Sequence, residues 1–163
     1  ARRRFFAIPL RPAWGRIGVV AVGRDRGGEE AVASLYGALV EAGITPAVSL
    51  PEGRVVRELD RNALARVLGN LLSNALKYSA GDLEVTLAPD GTVTLSNAAD
   101  GLDEVRVGRL FDRFYTVETG RGSTGLGLSI ARALTERMGG TIAAWYEGGR
   151  LWVSACFPPA SLK

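Results

Sequence analysis

The stretch RVLGNLLSNALKYS, residues 66–79, places Asn70 and Asn74 about one turn apart in a leucine-rich helix. Asn costs roughly 0.5 kcal/mol relative to Ala in a helix interior, and Glu, Lys or Arg would suit a merely solvated face better. The apolar side chains share one broad side of this helix, and the polar ones line the other. The apolar side comprises Leu64, Val67, Leu68, Leu71, Leu72 and Ala75, and the polar side Arg66, Asn70, Asn74 and Lys77. Two neutral amides followed by a mobile cation suit a hydrated metal ion beside phosphate.

Length and composition indicate one ordinary domain. The chain has 163 residues, of which 47% are hydrophobic and 23% charged, as in a typical soluble globular protein. A chain of this size can bury about 70% of the surface of its unfolded form, so we expect one compact core. The longest apolar runs are far shorter than the roughly 20 residues that cross a bilayer. Pro9, Arg11 and Pro12 interrupt the apolar run that a signal peptide would need.

Charge is distributed unevenly along the chain. Residues 1–28 hold seven Arg against one Asp, whereas the remainder is mildly acidic and the overall net charge is +3. We interpret residues 1–28 as a basic linker or the remnant of an upstream segment, and residues 29–163 as the folded domain. Arg-rich flanks are common as solubilising ends, so we expect contact with neither nucleic acid nor a membrane. Since the sequence begins with Ala, we also expect it to be part of a longer protein.

Two residue types exclude whole classes of site. The single Cys156 excludes an internal disulfide and a Cys-based zinc site, which fits a cytoplasmic protein. The sequence contains no His. Its absence excludes Ser-His-Asp triads, Cys-His pairs and His-ligated metals within this chain.

The predicted elements alternate between helices and strands. Helices are predicted at 27–43, from Asp60 as N-cap through the opening stretch, near 103–112 and at about 126–138. Single strands are predicted at 16–23, 44–50 and 54–59, and hairpins at 82–97 and 141–157. Pro89-Asp90-Gly91 and Gly148-Gly149 mark the two hairpin turns. Antiparallel hairpins interleaved with helices predict a two-layer α/β sandwich rather than a doubly wound parallel sheet.

A second constellation lies in GRGSTGLGLSIARALTERMGG, residues 120–140, where four Gly within eight residues precede an amphipathic helix. Gly permits positive φ and close backbone approach, so the loop can direct several N–H groups at one anion. The helix adds unpaired N–H groups and a positive dipole end, and phosphate is the expected ligand. Alone the signal is weak, because many Gly-rich helix entries bind nothing. The spacing matches neither a Rossmann fingerprint nor a Walker A loop.

Three motifs, in this order, resemble those of the ATP-binding catalytic domain of sensor histidine kinases. NLLSNALKYS at 70–79 is similar to the N box, LFDRFY at 110–115 to the F box, and GSTGLGLSIA at 122–131 to the G2 box. These kinases belong to the GHKL group, with the gyrase, heat-shock chaperone and mismatch-repair ATPases. The resemblance covers about residues 31–158. It implies the Bergerat fold, a two-layer sandwich in which a mixed, mainly antiparallel sheet packs against helices.

The resemblance also implies an ATP and Mg²⁺ site between the N-box helix and a mobile lid at 114–124. Asn74 would coordinate Mg²⁺, and Asn70 would lie beside the phosphates and their water shell. Lys77 and Arg121 would neutralise phosphate, so that Asn70, Lys77 and Arg121 form the catalytic set. The other implied nucleotide contacts are Tyr78, beside the nucleoside, and Thr124, Gly125, Leu126, Gly127 and Leu128 in the Gly-rich segment. Packing of Leu110, Phe111 and Phe114 would anchor the lid.

The stretch NAADGL, residues 97–102, departs from the family's usual G1 box, Asp-x-Gly-x-Gly. Asn97 takes the position of the Asp that accepts from the adenine amino group, Ala99 replaces one Gly, and Gly101 is retained. A neutral amide oxygen accepts a weaker hydrogen bond than a carboxylate, so we expect ATP recognition with modest affinity. In the lid, Thr116 stands where many members have Arg, a role that Arg113 could take.

The function implied by the resemblance is that of a protein histidine kinase fragment, which transfers the ATP γ-phosphoryl group to a His on a dimerisation domain. Since the chain has no His, that acceptor would lie on an upstream segment or another subunit and would pass the group to a response regulator. The fragment would be the cytoplasmic part of a membrane-bound sensor. A catalytically inactive nucleotide-binding regulatory module stays open. A GHKL-type ATPase is disfavoured, because Asn70 stands where its Glu base would be. A sandwich that binds nothing would leave the Asn-Asn-Lys stripe unexplained.

Overall fold

The computed structural model describes most of the predicted domain and three short segments before it. The described residues are 3–6, 8–10, 17–19, 41, 43–52, 55–79, 81–117 and 124–159. The strands are β1 (Arg3–Phe6), β2 (Ile8–Leu10), β3 (Ile17–Val19), β4 (Ala47–Ser49), β5 (Val56–Leu59), β6 (Glu84–Leu87), β7 (Thr92–Ala98), β8 (Thr141–Glu147) and β9 (Arg150–Cys156). The helices among these described residues are α1 (Arg61–Tyr78), α2 (Glu104–Gly108) and α3 (Gly127–Arg137).

The main sheet has five strands in the order β4-β6-β7-β9-β8. β4 and β6 are parallel, and the other neighbouring pairs are antiparallel. Parallel neighbours need a long crossover, and here the chain between β4 and β6 contains α1. The predicted two-layer sandwich with a mixed, mainly antiparallel sheet is therefore confirmed.

Helix α1 follows the sequence pattern closely. The Asp60 carboxylate accepts a hydrogen bond from the Ala63 backbone N–H at 2.8 Å and so caps the helix as predicted. Ser79 ends the helix, with its backbone N–H bonded to the Ala75 carbonyl. The predicted apolar side faces the core. Its buried members are Leu64, Val67, Leu71 and Ala75, with Leu68 and Leu72 half-buried against them.

Both predicted hairpins are present, and their alternation divides the sheet into two faces. In β7 and β9, Val93, Leu95, Leu151, Val153 and Ala155 point into the core beneath α1 and α3. The residues between them on each strand point to the opposite face, where Trp145 and Trp152 stack with ring centroids 5.9 Å apart. Since opposed residues share a face, the pairing of Ser96 with Trp152 places Ser96 there too.

The two remaining helices differ slightly from their predicted bounds. Helix α2 is shorter than the predicted 103–112, because turns replace the helix after Gly108, while Asp103 caps its start by accepting from the Arg106 backbone N–H at 2.8 Å. Helix α3 matches the prediction within one residue at each end. It packs against α1, and its Ala131 is fully buried between the two helices and the sheet.

The N-terminal part contains strands that the sequence analysis did not predict. β1, in the interpreted linker, pairs with β5 in the predicted domain, and β2 pairs with β3 within the linker; both pairs are antiparallel. β3 lies within the strand predicted at 16–23. The helix predicted at 27–43 lies outside the described residues except at its end, where Gly43 has the positive φ of 72° that is common after a helix. The division of the chain at residue 28 stays a prediction.

Candidate functional site

A cleft of about 90 Å³ lies where α1, the segment 110–115 and the beginning of α3 meet. Its described lining consists of Asn70, Ser73, Asn74, Lys77, Tyr78, Leu110, Tyr115, Gly125, Gly127 and Leu128. Polar side chains come from α1, and backbone from the Gly-rich segment. The two constellations singled out in the sequence, about 50 residues apart, therefore form one site.

Asn70 joins these two constellations directly. Its side-chain N–H donates to the Gly127 carbonyl at 2.9 Å, across 57 residues of sequence. The bond fixes both the orientation of the amide and the position at which α3 begins. A Cβ atom at residue 127 would lie 3.9 Å from the Asn70 amide carbon, which is an ordinary van der Waals contact. Asn70 thus holds the Gly-rich segment against α1.

Gly125 makes the closest backbone approach at the cleft. Its carbonyl accepts from the Phe114 N–H at 3.0 Å, and its φ is 66°. A Cβ atom at this position would lie 2.6 Å from the Phe114 carbonyl carbon and 2.9 Å from the Tyr115 nitrogen. Only Gly fits, since both the positive φ and the contact exclude a side chain. This hydrogen bond joins the two ends of the predicted lid, with Phe114 at its start and Gly125 directly after it.

The other α1 residues of the site lie along one stripe. Asn74 is half-buried in the cleft wall, one turn beyond Asn70. Lys77 is the one charged side chain among the described lining residues, and its Nζ lies 5.4 Å from the centroid of the Tyr78 ring. This distance allows a cation–π interaction, which holds the ammonium group near the end of the stripe. The amide oxygens of this stripe can bind a hydrated cation, and the Lys77 ammonium group can bind an anion.

The start of α3 contributes backbone donors. Leu126 occupies its N-cap position and makes no side-chain capping bond, while the Ser129 hydroxyl donates to the Leu126 carbonyl at 2.9 Å. The first N–H groups of a helix have no intrahelical acceptor and carry the positive end of the dipole. Leu128 is buried and anchors the turn in the core. An anion in the cleft would meet this helix end.

Asn97 lies near the end of β7 and is only 2% exposed. Its amide N–H donates to the Ala98 carbonyl at 2.9 Å, so its oxygen is the group suited to accept from a ligand. Gly101 follows in an exposed turn with φ of 82°. Neither residue is among the described residues that line the cleft, and the predicted base contact stays a prediction.

The remaining residues that the sequence analysis placed at or near the site differ in their outcomes. Thr124 is described and exposed, at the edge of the Gly-rich segment, whereas Arg121 lies outside the described residues. The expected packing of Leu110 and Phe111 is confirmed, since Leu110 is buried in the core and Phe111 is half-buried against it. For Phe114 that expectation is wrong: the residue is 74% exposed, and its backbone has a positive φ of 64°. Arg113 is exposed and does not line the cleft.

Two lining residues were missed by the sequence analysis. Ser73 lies three residues after Asn70 and four before Lys77, so helical spacing alone could have placed it on the polar stripe. Tyr115 reaches the cleft from the segment before the lid, and its ring lies 4.5 Å from the Arg109 guanidinium carbon. No local pattern indicates that position, since it follows from tertiary packing.

The donor set suits a magnesium-bound nucleotide. Mg²⁺ binds oxygen ligands and usually keeps several waters while sharing substrate phosphates, so amide oxygens from Asn70 and Asn74 are adequate partners. Among the described residues no group of three or more His, Cys, Asp or Glu side chains could hold a metal ion. Likewise, none of the described helices has the length and apolar character needed to cross a membrane.

Comparison with known proteins gives a consistent result. Residues 59–160 match the family model described as histidine kinase-, DNA gyrase B-, and HSP90-like ATPase. Sensor histidine kinase YcbM of Bacillus subtilis is 37% identical over 117 residues, which are 66% of this chain and 38% of that protein. The chain thus spans well under half the length of this relative.

Solved structures agree on the fold. The nucleotide-free catalytic domain of histidine kinase ThkA superposes with a TM-score of 0.68 at 24% identity, covering 80% of this chain and 88% of that one. Full-length ShkA, in complex with AMPPNP, gives a TM-score of 0.58 at 26% identity, covering 82% of this chain and 31% of that one.

Proposed function

Because the chain belongs to the family of histidine kinase-, DNA gyrase B- and HSP90-like ATPases, we propose that it is the ATP-binding catalytic domain of a sensor histidine kinase. It would transfer the γ-phosphoryl group of ATP to a His on a dimerisation domain outside this sequence. Its similarity to a relative named sensor histidine kinase supports the kinase branch of the family. A response regulator would then receive the group, and both reactions would take place in the cytoplasm, where ATP is available.

The single observation that carries this proposal is the hydrogen bond from Asn70 to the Gly127 carbonyl. It joins the polar stripe of α1 to the N-terminal end of α3, and so brings a cation and helix-end N–H groups to one cleft. Phosphoryl transfer requires mainly positioning and charge neutralisation, which these groups can supply. The AMPPNP complex of ShkA shows that a structurally similar protein holds an ATP analogue.

Each residue then has a distinct part. Asn74 would contribute its amide oxygen to Mg²⁺, which when bound neutralises charge on the phosphates. Lys77 would pair with phosphate oxygens, and Arg121 would add a second cation at the terminal phosphate. The N–H groups of 125–128 would hold the phosphate chain. Asn97 would accept from the adenine amino group, next to Gly101, and Tyr78 would lie beside the nucleoside.

The identity of residue 70 favours transfer over hydrolysis. Water must lose a proton as it attacks, and a general base speeds this loss, but an amide such as Asn70 cannot accept a proton at neutral pH. A neutral imidazole nitrogen attacks with its lone pair and has no proton to lose at that atom. The bond between the γ-phosphorus and the β–γ bridging oxygen would break, a bond from nitrogen to phosphorus would form, and ADP would leave. Asn70 therefore suits an imidazole acceptor.

A phosphotransfer assay tests the proposal. The chain is incubated with Mg²⁺ and γ-labelled ATP, together with its own upstream segment or a purified acceptor-helix domain of a sensor histidine kinase. Label should appear on the acceptor, and Asn74→Ala should abolish it. Asn62→Ala is the matched control, because Asn62 is exposed on the same helix outside the cleft. Binding of ATP without transfer to its own upstream segment would indicate a regulatory module, and release of free phosphate would indicate an ATPase.

A further inference from the structure

A charged cluster, on the face of the sheet that points away from the helices, hydrogen-bonds to both residues that flank Asn97. The Asp82 carboxylate accepts from the Ala98 backbone N–H through both oxygens, at 3.0 and 3.1 Å. Arg150 donates to the Ser96 carbonyl at 3.2 Å and to the Ser96 hydroxyl at 3.0 Å. The two residues that flank Asn97 are thus both held by side chains.

The cluster is closed by an ion pair. Arg150 Nη1 lies 2.6 Å from Asp82 Oδ2, and Arg150 Nη2 lies 3.4 Å from Glu84 Oε1. The Arg150 side chain is 26% exposed and covers Ser96, which is almost fully buried. A planar guanidinium that bonds a carboxylate, a carbonyl and a hydroxyl at once has little freedom. Asp82 and Arg150 therefore form a rigid brace at the end of β7.

The same brace reaches α1. Asp82 lies in the loop between α1 and β6, where its carbonyl accepts a hydrogen bond from the Ser79 hydroxyl. Ser79 ends α1 directly after Lys77 and Tyr78, and its hydroxyl also accepts from the Gly81 N–H at 3.1 Å. The end of the phosphate-binding stripe and the Asn97 backbone are thereby tied to one loop. Neither Asp82 nor Arg150 is among the described residues that line the cleft.

We infer that Asp82 and Arg150 are positioning residues that set adenine recognition by Asn97. This inference rests on the proposed function, in which Asn97 accepts from the adenine amino group. A neutral amide makes a weaker bond to that group than a carboxylate would, so its strength depends on correct placement. The brace holds the backbone on both sides of Asn97 and so places its amide oxygen.

The test compares ligands that do and do not use Asn97. ATP, ITP, which lacks the amino group, and inorganic tripolyphosphate are titrated with Mg²⁺ into the wild type and Arg150→Met. The variant should lose roughly threefold to tenfold in ATP affinity, the range of one hydrogen bond, and should bind ITP and tripolyphosphate as before. The preference for ATP over ITP should fall accordingly.

Arg57→Met is the matched control. Arg57 also bridges strands, donating through Nε to the Phe157 carbonyl at 2.7 Å, but at the opposite end of β7 and β9 from Asn97. Loss of this bridge should lower stability and leave the ratio of ATP to ITP affinity unchanged. If Arg150→Met does not fold, Arg150→Lys keeps the charge, loses the bidentate geometry, and should shift the ratio in the same direction.

A double-mutant cycle with Asn97→Ala completes the test. If Arg150 acts through Asn97, Arg150→Met should change ATP affinity little in the Asn97→Ala background. An unchanged ATP to ITP ratio in a folded Arg150 variant would overturn the inference and leave the proposed function intact. Failure of the wild type to bind ATP would overturn both.

Discussion

Substitution of Gly125 by Ala tests the geometry of the cleft most sharply. The backbone at this position has φ of 66°, which costs an L-residue roughly 1–2 kcal/mol. The new methyl group would also lie 2.6 Å from the Phe114 carbonyl carbon. A backbone atom cannot rotate away, and overpacking of this kind costs about 1–3 kcal/mol. The combined strain of about 2–5 kcal/mol exceeds what the hydrogen bond from Phe114 to Gly125 returns, so the segment should shift away.

The expected result is a loss of ATP affinity greater than tenfold, measured by calorimetry in Mg²⁺, because the displaced segment carries the phosphate-binding N–H groups. Gly148→Ala is the matched control. Gly148 has a similar φ of 59°, but a Cβ atom there would meet nothing within 4 Å. This variant should lose about 1–2 kcal/mol of unfolding free energy in a denaturant titration and bind ATP as the wild type does. Wild-type affinity in folded Gly125→Ala would refute the reasoning.

Three further predictions concern other parts of the chain. Asn70→Ala removes the hydrogen bond to Gly127 and should lower ATP affinity about tenfold in a calorimetric titration, whereas Asn62→Ala should bind ATP as the wild type does. Equal ATP affinities of Asn70→Ala and the wild type would contradict the role of Asn70. Val67→Ala in the fully buried core should cost about 1–3 kcal/mol of unfolding free energy by denaturant titration, and a smaller loss would mean that the α1 interface is loosely packed. Hydrogen bonds from Thr92 lower the pKa of Asp90, so ionised Asp90 stabilises the folded chain above about pH 4 and this contribution disappears as the pH falls through the lowered pKa. Asp90→Asn should therefore be less stable than the wild type near neutral pH, with the difference shrinking in acid; a constant difference would contradict the assignment.

Local patterns predicted the elements that build the site. Helix α1, with its Asp60 cap and its two faces, follows from helical spacing, and both hairpins follow from their turn residues. The order of three motifs then indicated the family, which the match over residues 59–160 supports. These features depend on neighbours close in sequence, which is why the sequence alone reveals them.

Features that depend on distant residues could not be predicted in the same way. The bond from Asn70 to Gly127 spans 57 residues, and the pairing of Arg150 with Asp82 spans 68. The pairing of β1 with β5 likewise joins a segment without periodicity to a strand far along the chain. The exposure of Phe114, whose N–H donates to the Gly125 carbonyl, likewise has no signal in the neighbouring sequence. In each case tertiary packing, rather than a local pattern, decides the outcome.

The most direct test of the central claim is a calorimetric titration of the wild-type chain with ATP, in Mg²⁺ and in EDTA. The cleft offers neutral amides, one described cation and helix-end N–H groups, so binding should be saturable, one to one, and markedly tighter with Mg²⁺. Asn74→Ala should lose this dependence on Mg²⁺. A folded wild-type chain that binds no ATP under either condition would contradict the assignment of the cleft as a nucleotide site.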